Sequence, residues 1–241
     1  MVDILLTKIR LSTYFWFFFV LFLLAAFFIP THTFDSGSLT LFSVNSFLYG
    51  FYISPILSAQ KARIDALHQI VRSEANALFA IVLNLKKLPR RTRNHLQSLI
   101  ILYIQAKLRH NKINSGEEEY EAIITYCVEY KGEHEDAINA VLKDIVANQS
   151  NRTNFNMQVG NRVFANEWHV MLILFSITLG FILSIAIPGD ILMQLVKALL
   201  CTGLTMLIVN LVKLNALTHK KAQLMWNPLI KLVHTNFYRL D

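Results

Sequence analysis

Asn45, Tyr49 and Tyr52 stand inside LFSVNSFLYGFYISP, Leu41 to Pro55, a stretch without a charge. The run around it, Ser36 to Gln60, is also uncharged and long enough to cross a bilayer. Wound as a helix, its residues sort into stripes. Ser43, Ser46, Gly50 and Ser54 form a small stripe, the pattern that lets two helix backbones approach closely where lipid gives no hydrophobic drive. Phe42, Asn45, Tyr49, Tyr52, Ile53 and Ile56 form a second stripe, about 125° away. Leu41, Val44, Phe47, Leu48 and Phe51 fill the remaining arc and face lipid or another span. In hydrocarbon the Asn45 amide needs a partner or water. It either bonds to a neighbouring helix or joins a neutral polar ring in a water-filled lumen, with the aromatic rings as a constriction. One helix encloses nothing, so such a lumen needs several copies around a symmetry axis.

Glu74 is the second candidate. It interrupts the seam Ile64, Leu67, Val71, Glu74, Leu78, Ile81, Leu85, whose 3-4 spacing marks the packed face of a long helix. A carboxylate there is costly unless it is paired or hydrogen-bonded. The spacing therefore predicts a facing Arg, Lys or Asn, with a gating or proton-sensing role as the alternative. Other chemistry is not written in the sequence. There is no His-Glu-x-x-His, no Cys-x-x-Cys, no Gly-rich phosphate loop and no nucleophile elbow. The GEHED stretch from Gly132 reads as an acidic helix start. The cluster Glu117, Glu118, Glu119, Glu121 lacks the spacing of a calcium loop. No enzyme activity, metal or cofactor is expected. Lys86, Lys87, Arg90, Arg91 and Arg93 flank Pro89 and form a solvated turn or a contact for anionic headgroups. Nothing further supports nucleic acid as a partner.

The elements that carry these residues follow from composition. The chain has 241 residues, 54% of them hydrophobic and 16% charged, with mean hydropathy +0.41. Soluble domains are about 25% charged. Four apolar runs are long enough to span: Tyr14–Ile29 extended by Ser12 and Thr13, Leu39–Ser58, Trp168–Ile187, and Leu192–Leu217. The first is too long and too rich in Phe for a signal peptide, and THTFDSG after Pro30 has no small-x-small cleavage site. The expected fold class is an all-α membrane protein, four transmembrane helices (two plus two) with an intervening cytosolic helical domain. The expected division is 1–60, a first helix pair; 61–167, the cytosolic domain; 168–217, a second pair; and 218–241, a cytosolic tail.

Lys and Arg set the orientation. Two lie in the N-terminal tail as Lys8 and Arg10, fifteen in 61–167 and five from Lys213 on, which leaves only Lys197 of the 23. The connections Thr31–Gly37 and Pro188–Asp190 carry none. Both termini are therefore expected in the cytoplasm, in the inner (plasma) membrane of the cell, with Lys197 snorkelling to the outer interface. Cys127 and Cys201 are then reduced, and the sequons at Asn148 and Asn151 are chance matches. In the middle segment Pro89 stops the first helix. A second runs over Arg91–His110 with Leu96, Leu99, Ile100, Leu102 and Tyr103 inward. A third starts at Ser115-Gly-Glu-Glu. A fourth opens at His134–Asp136 with Ile138, Val141, Leu142, Ile145 and Val146 on one face, and gives way to an Asn-rich, weakly apolar segment, Asn148–Asn166.

Several short motifs occur together here: Val71-x-x-Glu74-Ala75-x-Ala77-Leu78, then Leu88-Pro89, Arg93, Tyr103, and Trp168 at the head of the third span. Over about 40–215 this resembles the bacterial bestrophin-like integral membrane family, long catalogued only as a domain of unknown function. The resemblance implies a homo-oligomer, a pentamer, working as an anion channel for chloride, with the second span lining a narrow neck above a cytosolic vestibule. On this sequence the neck would be Phe42, Asn45, Tyr49, Tyr52, Ile53 and Ile56. Two departures stand out. Bestrophin necks are bulky and apolar, whereas Asn45 and two tyrosines intervene here, and no segment matches the acidic calcium clasp of the animal channels. The expected partners are other copies of the chain, membrane lipids and inorganic ions. The alternative is a membrane-anchored helical scaffold or signalling partner that conducts nothing.

Overall fold

The computed structural model describes residues 9–110, 115–186 and 191–234. Lys8 and the Pro188–Asp190 connection lie outside them. The described chain is helical: α1 Leu11–Phe28, α2 Ser36–Leu85, α3 Arg90–His110, α4 Glu117–Glu129, α5 Glu135–Gly160, α6 Ala165–Ser184, α7 Ile191–Asn215, α8 Lys220–Gln223 and α9 Asn227–His234. A 3-10 turn, Leu224–Trp226, stands between α8 and α9. Among the described residues there is no strand, only an isolated bridge between His32 and Ile185. Among the described residues four runs are long and apolar enough to cross a membrane: α1, α2, the run Glu135–Ser184 that ends in α6, and α7. The chain divides into two compact units, Met1–Ala62 with Arg162–Lys220, and Arg63–Asn161 with Lys221–Asp241.

In the first unit α1 is apolar on every side, so it has no polar face to turn outward. Phe22 packs on Ala198 and Cys201 of α7, with Phe18, Phe19, Leu179 and Ile182 around them. A second core joins Tyr49 and Ile53 of α2 to Met171 of α6 and Leu211 of α7. Two lysines donate to backbone carbonyls outside their own helix. Lys197, expected to snorkel outward, is 2% exposed and donates to the carbonyl of Ile185, the C-cap of α6. The last carbonyls of a helix have no partner inside it and carry its partial negative charge, so they hold a cation without a carboxylate. The same end is fastened by His32 N–H to Ser184 O and by Ala186 N–H to His32 O, both 2.8 Å. Lys213 donates to Ile9 O at 2.7 Å, just before α1.

In the second unit the seam of α2 is buried at every position from Ile64 to Leu85, as its spacing predicts. Leu88 is buried in the turn, and α3 begins after Pro89, whose carbonyl takes the Arg93 N–H at 2.9 Å. On α3 the buried stripe is Leu96, Ile100, Tyr103 and Lys107. Leu102, expected inward, is exposed because it falls outside that 4-3-4 row. Helix α5 runs on to Gly160, through most of the Asn-rich, weakly apolar segment, with Ile138, Val141, Ile145, Asn148, Arg152, Phe155 and Val159 buried. Val146, expected on that face, is exposed. Arg63 of α2 caps the end of α5, donating to Gln158 O at 2.7 Å and Val159 O at 2.9 Å. In the C-terminal segment Met225, Trp226 and Leu229 are buried, and the Trp226 ring lies 5.5 Å from that of Phe155.

Candidate functional site

In the first unit the stripe expected to line a lumen faces the chain's own helices. The Asn45 amide donates to Leu174 O at 3.2 Å and to Thr178 Oγ1 at 2.8 Å, both on α6. The Tyr49 hydroxyl donates to Leu204 O of α7 at 3.4 Å. Tyr49 and Ile53 are 2% and 3% exposed, and Tyr52 and Ile56 pack against them. Phe42 stacks on Phe181 at 4.9 Å. Within the chain these six residues thus lie against α6 and α7. The amide and the phenol need partners in an apolar layer, and they find them in carbonyls and a hydroxyl of α6 and α7.

The small stripe lies mostly on the outward side of α2 within the chain. Ser43, Gly50 and Ser54, expected to pack helix on helix, are exposed within the chain. A Cβ added at Gly50 would meet nothing within 4 Å. The Ser43 hydroxyl folds back to Leu39 O at 2.9 Å. Only Ser46 turns partly inward, and its hydroxyl oxygen is buried without a hydrogen bond among the described residues. The outward face of α2 therefore carries Ser43, Gly50 and Ser54 between Val44, Phe47 and Phe51. Pro55, on the same face, has no N–H to give the Phe51 carbonyl.

In the second unit Glu74 has the partner the seam demands, and more. Its carboxylate is 0% exposed and accepts from the Tyr103 hydroxyl on one oxygen and the Lys107 ammonium on the other. Lys107 Nζ also stands 3.3 Å from the Tyr103 oxygen and 4.7 Å above the Phe155 ring. Beside this pair the Arg152 guanidinium lies on the Tyr120 ring at 3.7 Å. It donates to Gln149 Oε1 at 2.6 Å and to the Glu117 carboxylate. The Tyr120 hydroxyl donates to Ile145 O at 2.6 Å and receives the Asn148 amide at 3.3 Å. Two carboxylates, two cations and two phenols thus come from four helices.

Local sequence places them. Seam spacing puts Glu74 inward on α2 and Tyr103 with Lys107 one turn apart on α3. Gly116 opens α4 with φ 82°, a left-handed backbone that suits Gly. A Cβ there would lie 2.9 Å from Tyr103 Cδ2, so glycine lets the start of α4 close on the Tyr103 ring. Burial pushes the Lys107 ammonium below the usual lysine range, a shift that Glu74 partly offsets. It also lifts the Tyr103 phenol well above its ordinary value and Tyr120 to about 12. Cys127, on the buried face of α4 with Tyr120 and Ile123, is pushed up to about 11 by the same cause.

Sequence reasoning found Glu74 and foresaw a basic partner. It missed Lys107, Arg152, Glu117, Tyr120 and Asn148 as members. The signal was present in α5, where Ile138 to Val159 keeps a 3-4 spacing once Asn148 and Arg152 are counted as inward. Lys86, Lys87, Arg90 and Arg91 are exposed around the turn, with Arg93 half-buried. Among the described residues no three His, Cys, Asp or Glu side chains gather as a metal set. No protein-family model, curated protein or solved structure matches this chain.

Proposed function

We propose that the chain is a multi-pass plasma-membrane protein, both termini cytoplasmic, that assembles with copies of itself into a bestrophin-like, pentameric anion channel. The observation that carries this reading is the outward face of α2. This span-length helix keeps its amide and phenols inside its own chain and turns Ser43, Phe47, Gly50, Phe51 and Ser54 outward. Around a symmetry axis that face gives a lumen of small hydroxyl residues narrowed by stacked rings, since Phe47 and Phe51 lie 6.0 Å apart. A bulky apolar neck is what the bestrophin resemblance implies, and Phe47 and Phe51 would supply one on this face. The exposed aliphatic and aromatic side chains of α1 and α7 suit lipid. A neutral neck gates by width and wetting and selects weakly. The preference for chloride rests on the segment 61–167, where fifteen basic residues face twelve acidic ones.

The test is flux from liposomes holding the purified protein, chloride against potassium, with empty vesicles as control. Chloride efflux is expected, and Gly50→Phe should abolish most of it while the protein still folds, because space is open at Gly50 within the chain. Unaltered flux in Gly50→Phe moves the lumen off this face. Potassium efflux in place of chloride keeps the pore and discards the anion. No flux from folded, oligomeric protein favours the scaffold role.

A further inference from the structure

Lys107 and Arg152 lie against one ring. The Lys107 nitrogen is 5.6 Å and the Arg152 guanidinium carbon 5.7 Å from the Tyr103 centroid. Two buried cations this close repel each other strongly in a poorly polarisable interior. Glu74 neutralises one and Glu117 the other. A buried ion pair adds little stability over well-packed apolar side chains, but it makes closure conditional on every charge being present. Glu117 is the member open to water, with a side chain 39% exposed.

We propose that this cluster is an acid-released latch on the second unit. With Glu74 and Glu117 ionised, α2, α3, α4 and α5 close over it. When the carboxylates take up protons, Lys107 and Arg152 are left unpaired, draw in water and part the helices. The inference goes beyond the channel reading and does not need conduction.

The signs agree. Protonating either carboxylate removes the charge that neutralises a buried cation. Burial makes Lys107 hold its proton less tightly in the closed unit than in water, so the closed unit depends on Glu74 to offset that cost. Tyr103 and Tyr120 are raised and stay neutral throughout the acid range. The groups facing the cluster are Glu74 from α2, Tyr103 and Lys107 from α3, Glu117 and Tyr120 from α4, and Arg152 from α5 with the neutral Asn148 and Gln149. Along α4, Glu118 and Glu121 are exposed and Glu119 is half-buried. From the C-terminal segment, Lys231 and His234 of α9 are exposed.

Cys127, buried on α4, reports the opening. The full chain carrying Cys201→Ala, in nanodiscs, is labelled at Cys127 with a pyridyl disulfide, which still reacts in acid, and each rate is divided by that of denatured protein at the same pH. From about pH 7.5 down through the ordinary carboxylate range, to about pH 4, the ratio should rise by about 100-fold, with helical circular dichroism retained. Glu117→Gln should move the rise to higher pH. Glu74→Gln with Lys107→Met, which removes both inner charges and leaves none unpaired, should fold and show a smaller rise. A flat ratio in the parent overturns the latch, and so does a double variant that opens as the parent does.

Discussion

Helix α2 carries two buried polar sites, and they are built on opposite terms. In the first unit Asn45 and Tyr49 donate to carbonyls and a hydroxyl of the neighbouring helices. In the second, Glu74 is held by a cation and a phenol, with a further ion pair alongside. In sequence the two look alike, a polar residue on an otherwise apolar face. Neutral groups that bond to backbone lose little when one bond is removed, because the acceptors mostly keep their helical partners. Charged groups leave a stranded charge when one partner goes. The first site is a fastening that tolerates loss, and the second makes its unit depend on a complete set.

The largest expected effect breaks the second site. Glu74→Ala should destabilise the second unit by about 3–5 kcal/mol, because Lys107 is left buried without a counter-charge. Urea unfolding followed by Cys127 labelling measures it. Glu74→Met with Lys107→Met should sit within about 1 kcal/mol of the parent or above it, since no charge is stranded. A single variant as stable as the parent would show that the pair is solvated, and the contrast between the two sites would collapse.

Alkaline pH gives a smaller effect on the same unit. The folded-state value of Tyr120 is raised to about 12 from 10.0, and that of Cys127 to about 11 from 9.0. A group raised in the folded state contributes stability that is whole below its unfolded value and is lost as pH climbs through the folded one. Stability should therefore decline between pH 9 and 11 through Cys127, and between pH 10 and 12 through Tyr120. Cys127→Ala should remove the earlier part of the decline and Tyr120→Phe the later part. A decline that neither variant changes would place the titrating groups elsewhere. Asn45 does not titrate, so its bonds to α6 should persist over the range in which the second unit loosens.

Periodicity carried most of what was legible. The seam from Ile64 to Leu85, the stop at Pro89 and the four apolar runs depend on local spacing and appear as read. The partners were not legible, because spacing names the face of a helix and not what lies against it. For that reason spacing separated the Asn45 stripe from the small stripe without showing that, within the chain, the first lies on α6 and α7 and the second is exposed. The end of α5 was hidden for another reason. Asn148 and Arg152 are polar and read as breaks in the apolar row, yet each is buried because the cluster supplies its bonds.

The smallest effects test the first site. Asn45→Ala removes two donors across a helix interface, and bonds of this kind in membranes are worth about 0.6 kcal/mol each. A loss near 1 kcal/mol is expected, read by thermal unfolding in nanodiscs. Tyr49→Phe gives up a single long bond and keeps the ring, so its loss should be about 0.5 kcal/mol or less. In neither variant should ion flux change, because neither side chain is on the outward face of α2. Ser43 and Ser54, which are on it, should alter flux when made larger and leave the melting temperature alone. The reverse pattern, with flux altered by Asn45→Ala at unchanged stability, would mean that α2 turns its amide stripe to water in the assembled protein and that its packing on α6 and α7 belongs to the isolated chain.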